Sequence, residues 1–295
     1  MEFLLQLVVN GLAVGSIYAL VALGFVVIYK ASGVLNFAQG EFLLVGAYAF
    51  FAVAVNYHAP LWAALVVTLV FSVVLGLLME RLILRPMIGE PVISVIMVTL
   101  GLAGILRAMV QGIWGTDTRT FPTSFDTTPF HLGPLPIARG ALMSFAIVAV
   151  LLVLFSLFFR YSRHGIAMRA TAFSQQVALS MGISVKRIFA LSWSIAAVVS
   201  ALGGILLGAL RGGIDGSLTM LGLKALPVVI LGGLDSIGGA IVGGLVIGVL
   251  ENLAGGYLDP LLGGGVKEVA PFVALVLILM VKPYGLFGKV RIERV

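Results

Sequence analysis

Four polar residues, Ser32, Asn36, Gln39 and Glu41, interrupt an otherwise apolar stretch of chain. Amides and a carboxylate placed between two apolar runs can line a path for a polar solute. Such groups are expensive at membrane depth, a charge at the bilayer centre costing roughly 2.5–3.5 kcal/mol on insertion scales. A local reading stands beside it: Glu41 follows Gly40 at a helix start, where a carboxylate gains about 0.3–1 kcal/mol from the macrodipole. Lys224, just ahead of Ala225, Leu226 and the helix breaker Pro227, is a further pathway candidate. Asp215 and Asp235 are the acids expected to pair with it. Arg107 lies about 22 Å along its run from Val92 at 1.5 Å per residue, so its side chain is expected to snorkel to the outer interface.

Other chemistry is poorly supplied. The three histidines, His58, His131 and His164, sit in separate loops, and neither H-E-x-x-H nor G-x-S-x-G occurs. No catalytic residue, metal site or cofactor is therefore expected. The glycine run Gly263 to Gly265 leads into Val266, Lys267 and Glu268 rather than the G-K-[ST] of a phosphate-cradling loop, so any ATP must be bound by another chain. With no cysteine, thiolate nucleophiles, disulfides and cysteine-ligated clusters are excluded.

The segment 160–187 is the most informative loop. It carries Arg160, Arg163, Arg169, Lys186 and Arg187 and no acid. Ile166, Ala170, Phe173, Val177 and Met181 recur at helical steps, predicting one amphipathic helix over 166–181 that ends at Gly182, a natural residue to follow a C-cap. Its apolar face can lie on the lipid interface, with the arginines meeting anionic headgroups, or dock into a partner's groove.

These residues must be held by membrane helices. Residues of the set AVILMFWYC make up 61% of the 295, and the 37 glycines raise the apolar share to about three quarters, against roughly 45–50% in soluble domains. The mean hydropathy is +1.18, and charged residues, 10% of the chain, are too few to cover a water-soluble globule. The net charge of +6 comes from basic residues clustered in loops, so nucleic acid is not the expected partner; a lipid bilayer is.

Runs at 4–29, 61–79, 141–159 and 188–210 meet the roughly 20 residues that a crossing needs. Shorter or glycine-interrupted runs at 42–55, 92–110, 218–234, 237–250 and 269–281 bring the expected passes to nine. The first run has no positive n-region and is too long for a signal-peptide core, so it reads as a retained helix.

Cytoplasmic loops hold the excess of Lys and Arg. That rule puts 160–187 and the tail, with Lys282, Lys289, Arg291 and Arg294 against Glu293, inside. The loop 111–140, where Asp117 and Asp126 balance Arg119 and Arg139, and the acidic stretch 251–268 go outside. The N-terminus is then outside. Small residues four apart, Gly11, Gly15 and Ala19 and again Gly239, Gly243, Gly244 and Gly248, predict close helix packing. A polar, glycine-containing break occurs near 31–41 and again near 211–236, and paired interruptions in two halves of a chain point to a transport path.

The runs GSIYALVALGFVVIY (15–29), NFAQGEF (36–42), GIAMRATAFSQQVALSMGI (165–183), KALPVVILGGLDSIGGAIVGG (224–244) and KPYGLFG (282–288) together resemble the permeases of bacterial branched-chain amino-acid ABC importers, most of all their smaller, H-type subunit. The resemblance implies an all-α polytopic protein with 8–10 transmembrane helices, some short or broken, and a single permease domain over 1–295. It also implies the bacterial inner membrane, a larger paralogous permease, two cytoplasmic ATPases and a periplasmic binding protein. By position it makes Gly165, Arg169, Ala170, Ala178 and Gly182 part of the element that seats on the ATPase. The apolar stripe adds Phe173 as its anchor with Val177 beside it, and Arg169 is expected to form an ion pair at the rim. Where many members carry an acidic dipeptide, Phe173 and Ser174 stand here. Urea and short-amide permeases look similar, so the substrate stays open at this point. An ion-coupled carrier or a membrane enzyme are the rival classes, but the acids lie near helix ends and no catalytic group is present.

Overall fold

The computed structural model describes residues 2–121, 129–132 and 135–288; Asp126 of the loop 111–140 and Lys289, Arg291, Glu293 and Arg294 of the tail lie outside the described residues. The chain is almost wholly helical: α1 (Glu2–Ser32), α2 (Gln39–Phe51), α3 (Leu61–Met79), α4 (Val92–Trp114), α5 (Arg139–Tyr161), α6 (Arg163–Phe173), α7 (Gln175–Ser180), α8 (Val185–Arg211), α9 (Leu218–Gly232), α10 (Ile237–Leu253), α11 (Asp259–Leu262) and α12 (Val266–Val281). One-turn π segments prolong α2, α3 and α10, at Ala52–Asn56, Glu80–Leu84 and Ala254–Leu258. Among the described residues seven helical stretches are long and apolar enough to cross a membrane, which makes this an all-α polytopic membrane protein. The other two expected passes, α9 and α12, have 15 and 16 residues, about 22–24 Å at the helical rise.

The core is built around α1, whose side chains from Ile17 to Ile28 are all buried. Lipid offers no hydrophobic drive between helices, so close backbone approach through small residues decides what packs here. A methyl group added at Gly15 would come within 2.5 Å of the Gly244 carbonyl oxygen, and one at Gly11 within 2.7 Å of Val249 Cα. Gly248 likewise faces Gly15, and Gly244 faces Ala19. Gly11, Gly15, Ala19, Gly244 and Gly248 thus form one seam between α1 and α10, while Gly239 and Gly243 pack against Gly232 and Val228 of α9. By contrast α3, α4, α5 and α12 keep apolar outer faces, such as Val70, Ile93, Val150 and Val276.

Two helices begin inside the bundle. After α1 the chain turns at Gly33, with φ +74°, and α2 starts level with the middle of α8. There the Gln39 side-chain amide donates to the Ala196 carbonyl at 3.3 Å and to Ser200 Oγ at 2.6 Å. After α8 the chain turns at Gly212, and α9 starts so close to α2 that Gly222 and Gly40 are in backbone contact. These are the two breaks expected from the sequence, and the helices that follow them meet. Two short strands, β1 (Arg119–Thr120) and β4 (Gly213–Ile214), pair antiparallel and staple the loop after α4 to the second break; β2 (Pro129–Leu132) and β3 (Leu135–Ala138) form a hairpin between them in sequence.

Candidate functional site

Three clusters hold the residues singled out in the sequence. The first gathers around the start of α2. Asn36 Oδ1 accepts the Ala38 N–H at 3.0 Å, and the Asn36 amide donates to Gln39 Oε1 at 3.3 Å, so the polar break folds its own turn. Glu41 is buried in the first turn of α2. Arg107 donates to Glu41 Oε1 from Nε at 3.1 Å and from Nη2 at 2.6 Å, and Nη2 also reaches Thr219 Oγ1 at 3.1 Å. The arginine therefore turns inward to a carboxylate instead of snorkelling outward, because the helix starts of α2 and α9 bring polar partners within reach. Asn36, Gln39, Glu41 and Arg107 thus lie in one neighbourhood that links α2, α4, α8 and α9.

The second cluster surrounds Lys224 on α9. Its Nζ lies 2.8 Å from Glu251 on α10 and 2.7 Å from Glu268 at the start of α12. Neither Asp215 nor Asp235, the partners expected from proximity in sequence, takes the lysine. Asp215 accepts instead from the Ser217 backbone N–H at 2.8 Å and from Thr118 Oγ1 at 3.1 Å. The bond from Ser217, with help from Thr118 and the Arg211 charge, holds its carboxyl below the usual aspartate range despite some desolvation. Lys224 and Glu251 are both buried, while the Glu268 side chain is 65% exposed. Tyr18 of α1 lies close enough to feel the Glu251 charge.

The third cluster is the basic loop, and here the sequence expectation needs correction. In place of one helix over 166–181 there are two, α6 and α7, separated at Ser174. That residue takes an extended φ of −159° and accepts the Val177 N–H as the N-cap of α7. A cap of this type outweighs the continuing apolar period, because it satisfies an otherwise orphaned N–H. Gly182, at φ +80°, follows the end of α7 as expected. Ala178 is buried, while Ile166, Phe173, Val177 and Met181 are exposed, Phe173 to 91%. Arg169 is exposed and bends back onto α5: Nη1 donates to the Phe159 carbonyl at 2.6 Å and Nη2 to that of Arg160 at 3.2 Å. It thereby caps the end of α5. Gly165 permits the same elbow, since a Cβ there would lie 2.5 Å from the Phe159 oxygen.

Beside this loop lies a cavity of about 910 Å³, lined by the end of α1 (Tyr29, Lys30), by Arg169 and Phe173, and by Asp235 and Tyr284 among others. The tail closes on α9 as a short ladder, Leu286 N–H to Leu231 oxygen at 2.7 Å and Phe287 N–H to Gly232 oxygen at 3.1 Å. Two motifs far apart in sequence, 224–244 and 282–288, are thus joined. Among the described residues no group of three or more His, Asp or Glu is placed to hold a metal ion.

A helical bundle with charge pairs buried between its helices and two helices beginning inside it is the architecture of a membrane transport subunit. The model for the branched-chain amino acid transport system permease component family matches residues 7–282, and the chain belongs to that family. Among its relatives is the high-affinity branched-chain amino acid transport system permease protein LivH of Escherichia coli strain K12, 31% identical, the alignment covering 99% of this chain and 98% of that one. The corresponding protein BraD of Pseudomonas aeruginosa is also 31% identical with the same coverage. A probable branched-chain amino acid transport permease protein LivH of Methanocaldococcus jannaschii is 26% identical, over 92% of this chain and 89% of that one. A solved structure, PsaBC from Streptococcus pneumoniae in complex with Fab, superimposes with a TM-score of 0.47 at 13% identity, covering 94% of this chain and 91% of that chain.

Proposed function

We propose that the chain is the permease subunit of an ATP-driven importer of branched-chain amino acids in a bacterial inner membrane, with its N-terminus periplasmic and α6–α7 cytoplasmic. A larger paralogous permease completes the translocation path, a periplasmic binding protein delivers the amino acid, and two cytoplasmic ATPases supply the energy. Family membership over nearly the whole chain supports the transport role, and the absence of a phosphate-cradling motif in the sequence supports separate ATPases. The observation that carries the coupling assignment is Phe173, 91% exposed at the junction of α6 and α7 with Val177 and Met181 also uncovered. An aromatic anchor left in the open beside a rigid elbow suits insertion into a partner's groove. Asn36, Gln39, Glu41 and Lys224 are the residues proposed for the path.

The test is co-purification and uptake. Phe173→Ala should lower the chain's affinity for the ATPase by about thirtyfold, as truncation of a buried aromatic anchor commonly costs 2 kcal/mol or more, and should abolish ATP-driven leucine uptake while membrane insertion persists. Unchanged co-purification, together with binding of the isolated 160–187 peptide to anionic vesicles, would assign α6–α7 to the lipid surface instead.

Orientation is checked separately in this cysteine-free chain. Thr116→Cys in the external loop and Gln176→Cys on α7 are both exposed positions and should react with an impermeant maleimide from opposite sides of the membrane. Labelling of both from one side would overturn the topology.

A further inference from the structure

A second cavity, of about 820 Å³, opens between α3, α5, α6 and α8, and its two ends differ in chemistry. At the end where α6 and α8 begin stand Arg163, His164 and Arg187, all exposed, and no acid is among the described residues that line the cavity. None of these three side chains has a hydrogen bond or ion pair among the described residues. Deeper in, the lining is apolar: Val73 and Leu77 of α3, Phe155 of α5, and Leu191, Ile195 and Val198 of α8. Ser194, the polar exception there, turns its hydroxyl to the Ala190 and Val73 carbonyls. Val73 and Leu77 are exposed, so the groove opens on the outer surface of the bundle. It also has the depth of one leaflet. Arg187, Leu191, Ile195 and Val198 form one stripe of α8, at steps of four, four and three. From Arg187 to Val198 the helical rise gives about 16 Å, half of a hydrocarbon core of roughly 30 Å.

We infer that this groove is a binding site for an anionic phospholipid, an acyl chain lying along the α8 stripe and the headgroup phosphate held by Arg163, His164 and Arg187. Guanidinium groups hold phosphate through paired N–H donors, and basic pockets between membrane helices bind acidic headgroups. A polar solute finds no partner in the deep part of the groove, free phosphate leaves that part unfilled, and an apolar partner helix leaves the basic end unmatched. An anionic lipid satisfies both ends. Ile166, Phe173 and Val177 lie outside this lining, so the lipid and the proposed ATPase anchor use different faces of the elbow. The inference holds whatever solute the chain transports.

The experiment uses the full chain assembled with its permease and ATPase partners in phosphatidylcholine vesicles. A trace of phosphatidylglycerol or of phosphatidylcholine, each with a diazirine in its acyl chain, is photoactivated and the adducts are mapped by peptide mass spectrometry. Phosphatidylglycerol should label Phe155, Leu191 or Ile195 several-fold more than phosphatidylcholine does. Excess unlabelled phosphatidylglycerol should remove those adducts, and millimolar inorganic phosphate should not. Arg163→Gln combined with Arg187→Gln should bring the two lipids to parity with the thermal midpoint unchanged, because both side chains are exposed and unbonded; Arg163→Lys with Arg187→Lys should keep most of the preference. Equal labelling by the two lipids in the unsubstituted assembly, or a preference that survives the glutamine pair, would overturn the site. Displacement by inorganic phosphate would assign the basic end to a free anion, and no labelling of the groove by either lipid would assign it to the partner permease; each overturns the lipid site.

Discussion

A lysine enclosed by helices is tolerable only while its carboxylates remain. Lys224→Met leaves Glu251, 2% exposed at its side chain, without a cation, and should cost about 3–5 kcal/mol, read as a lower thermal midpoint of the purified chain. Adding Glu251→Gln should recover much of that loss, since the orphaned charge goes with it. Glu268→Gln, at a carboxylate 65% exposed, should cost less than about 1 kcal/mol. The sequence marks these groups as isolated charges in apolar runs, and their signs invite pairing. It does not say which acid meets which base. Arg107 and Glu41 are 66 positions apart and Lys224 and Glu251 are 27 apart, so their pairing follows from which helices pack together. Proximity along the chain favoured Asp215 and Asp235 for Lys224, and both were wrong because the turn at Gly212 and the start of α9 direct Asp215 to its own loop.

At the scale of the element, the basic loop is a rigid elbow carrying a short apolar platform. Arg169→Ala should free the last carbonyls of α5 and loosen α6 against it, so amide hydrogen exchange over 163–173 should accelerate. That effect should survive high salt, because Arg169 bonds to neutral carbonyls and no opposite charge is being screened. Any loss of ATPase coupling in this variant then reports the elbow, whereas loss in Phe173→Ala reports the anchor. The apolar spacing across 166–181 was legible and remains true of the residues. The division into two helices was not legible from periodicity, which runs on through Ser174; the available signal was a serine ahead of Gln175 and Gln176, a residue type suited to an N-cap.

Across the whole molecule, hydropathy located the helices well, and the spacing of small residues located the tightest seam. What hydropathy cannot supply is which helix lies at the centre. In a membrane both the core and the rim are apolar, so the buried α1 and the peripheral α3 read alike. Gly15→Leu tests the seam: with the Gly244 oxygen 2.5 Å from an added Cβ, α1 and α10 must separate, and the chain should lose its single symmetric peak on size exclusion. Gly101→Leu on the open face of α4, where nothing lies within 4 Å, should leave that peak unchanged.

The position of α1 also sets a timetable for biogenesis. Its glycine face leaves the ribosome first, yet the matching face of α10 follows about 230 residues later, an interval of roughly 10–45 s at ordinary rates of synthesis. Throughout that time the future centre of the protein stands in lipid with its small-residue groove unfilled. Assembly is therefore a late insertion of α10 against a waiting helix, and a nascent chain stopped before Ile237 should be cleared by membrane proteases as an unassembled intermediate.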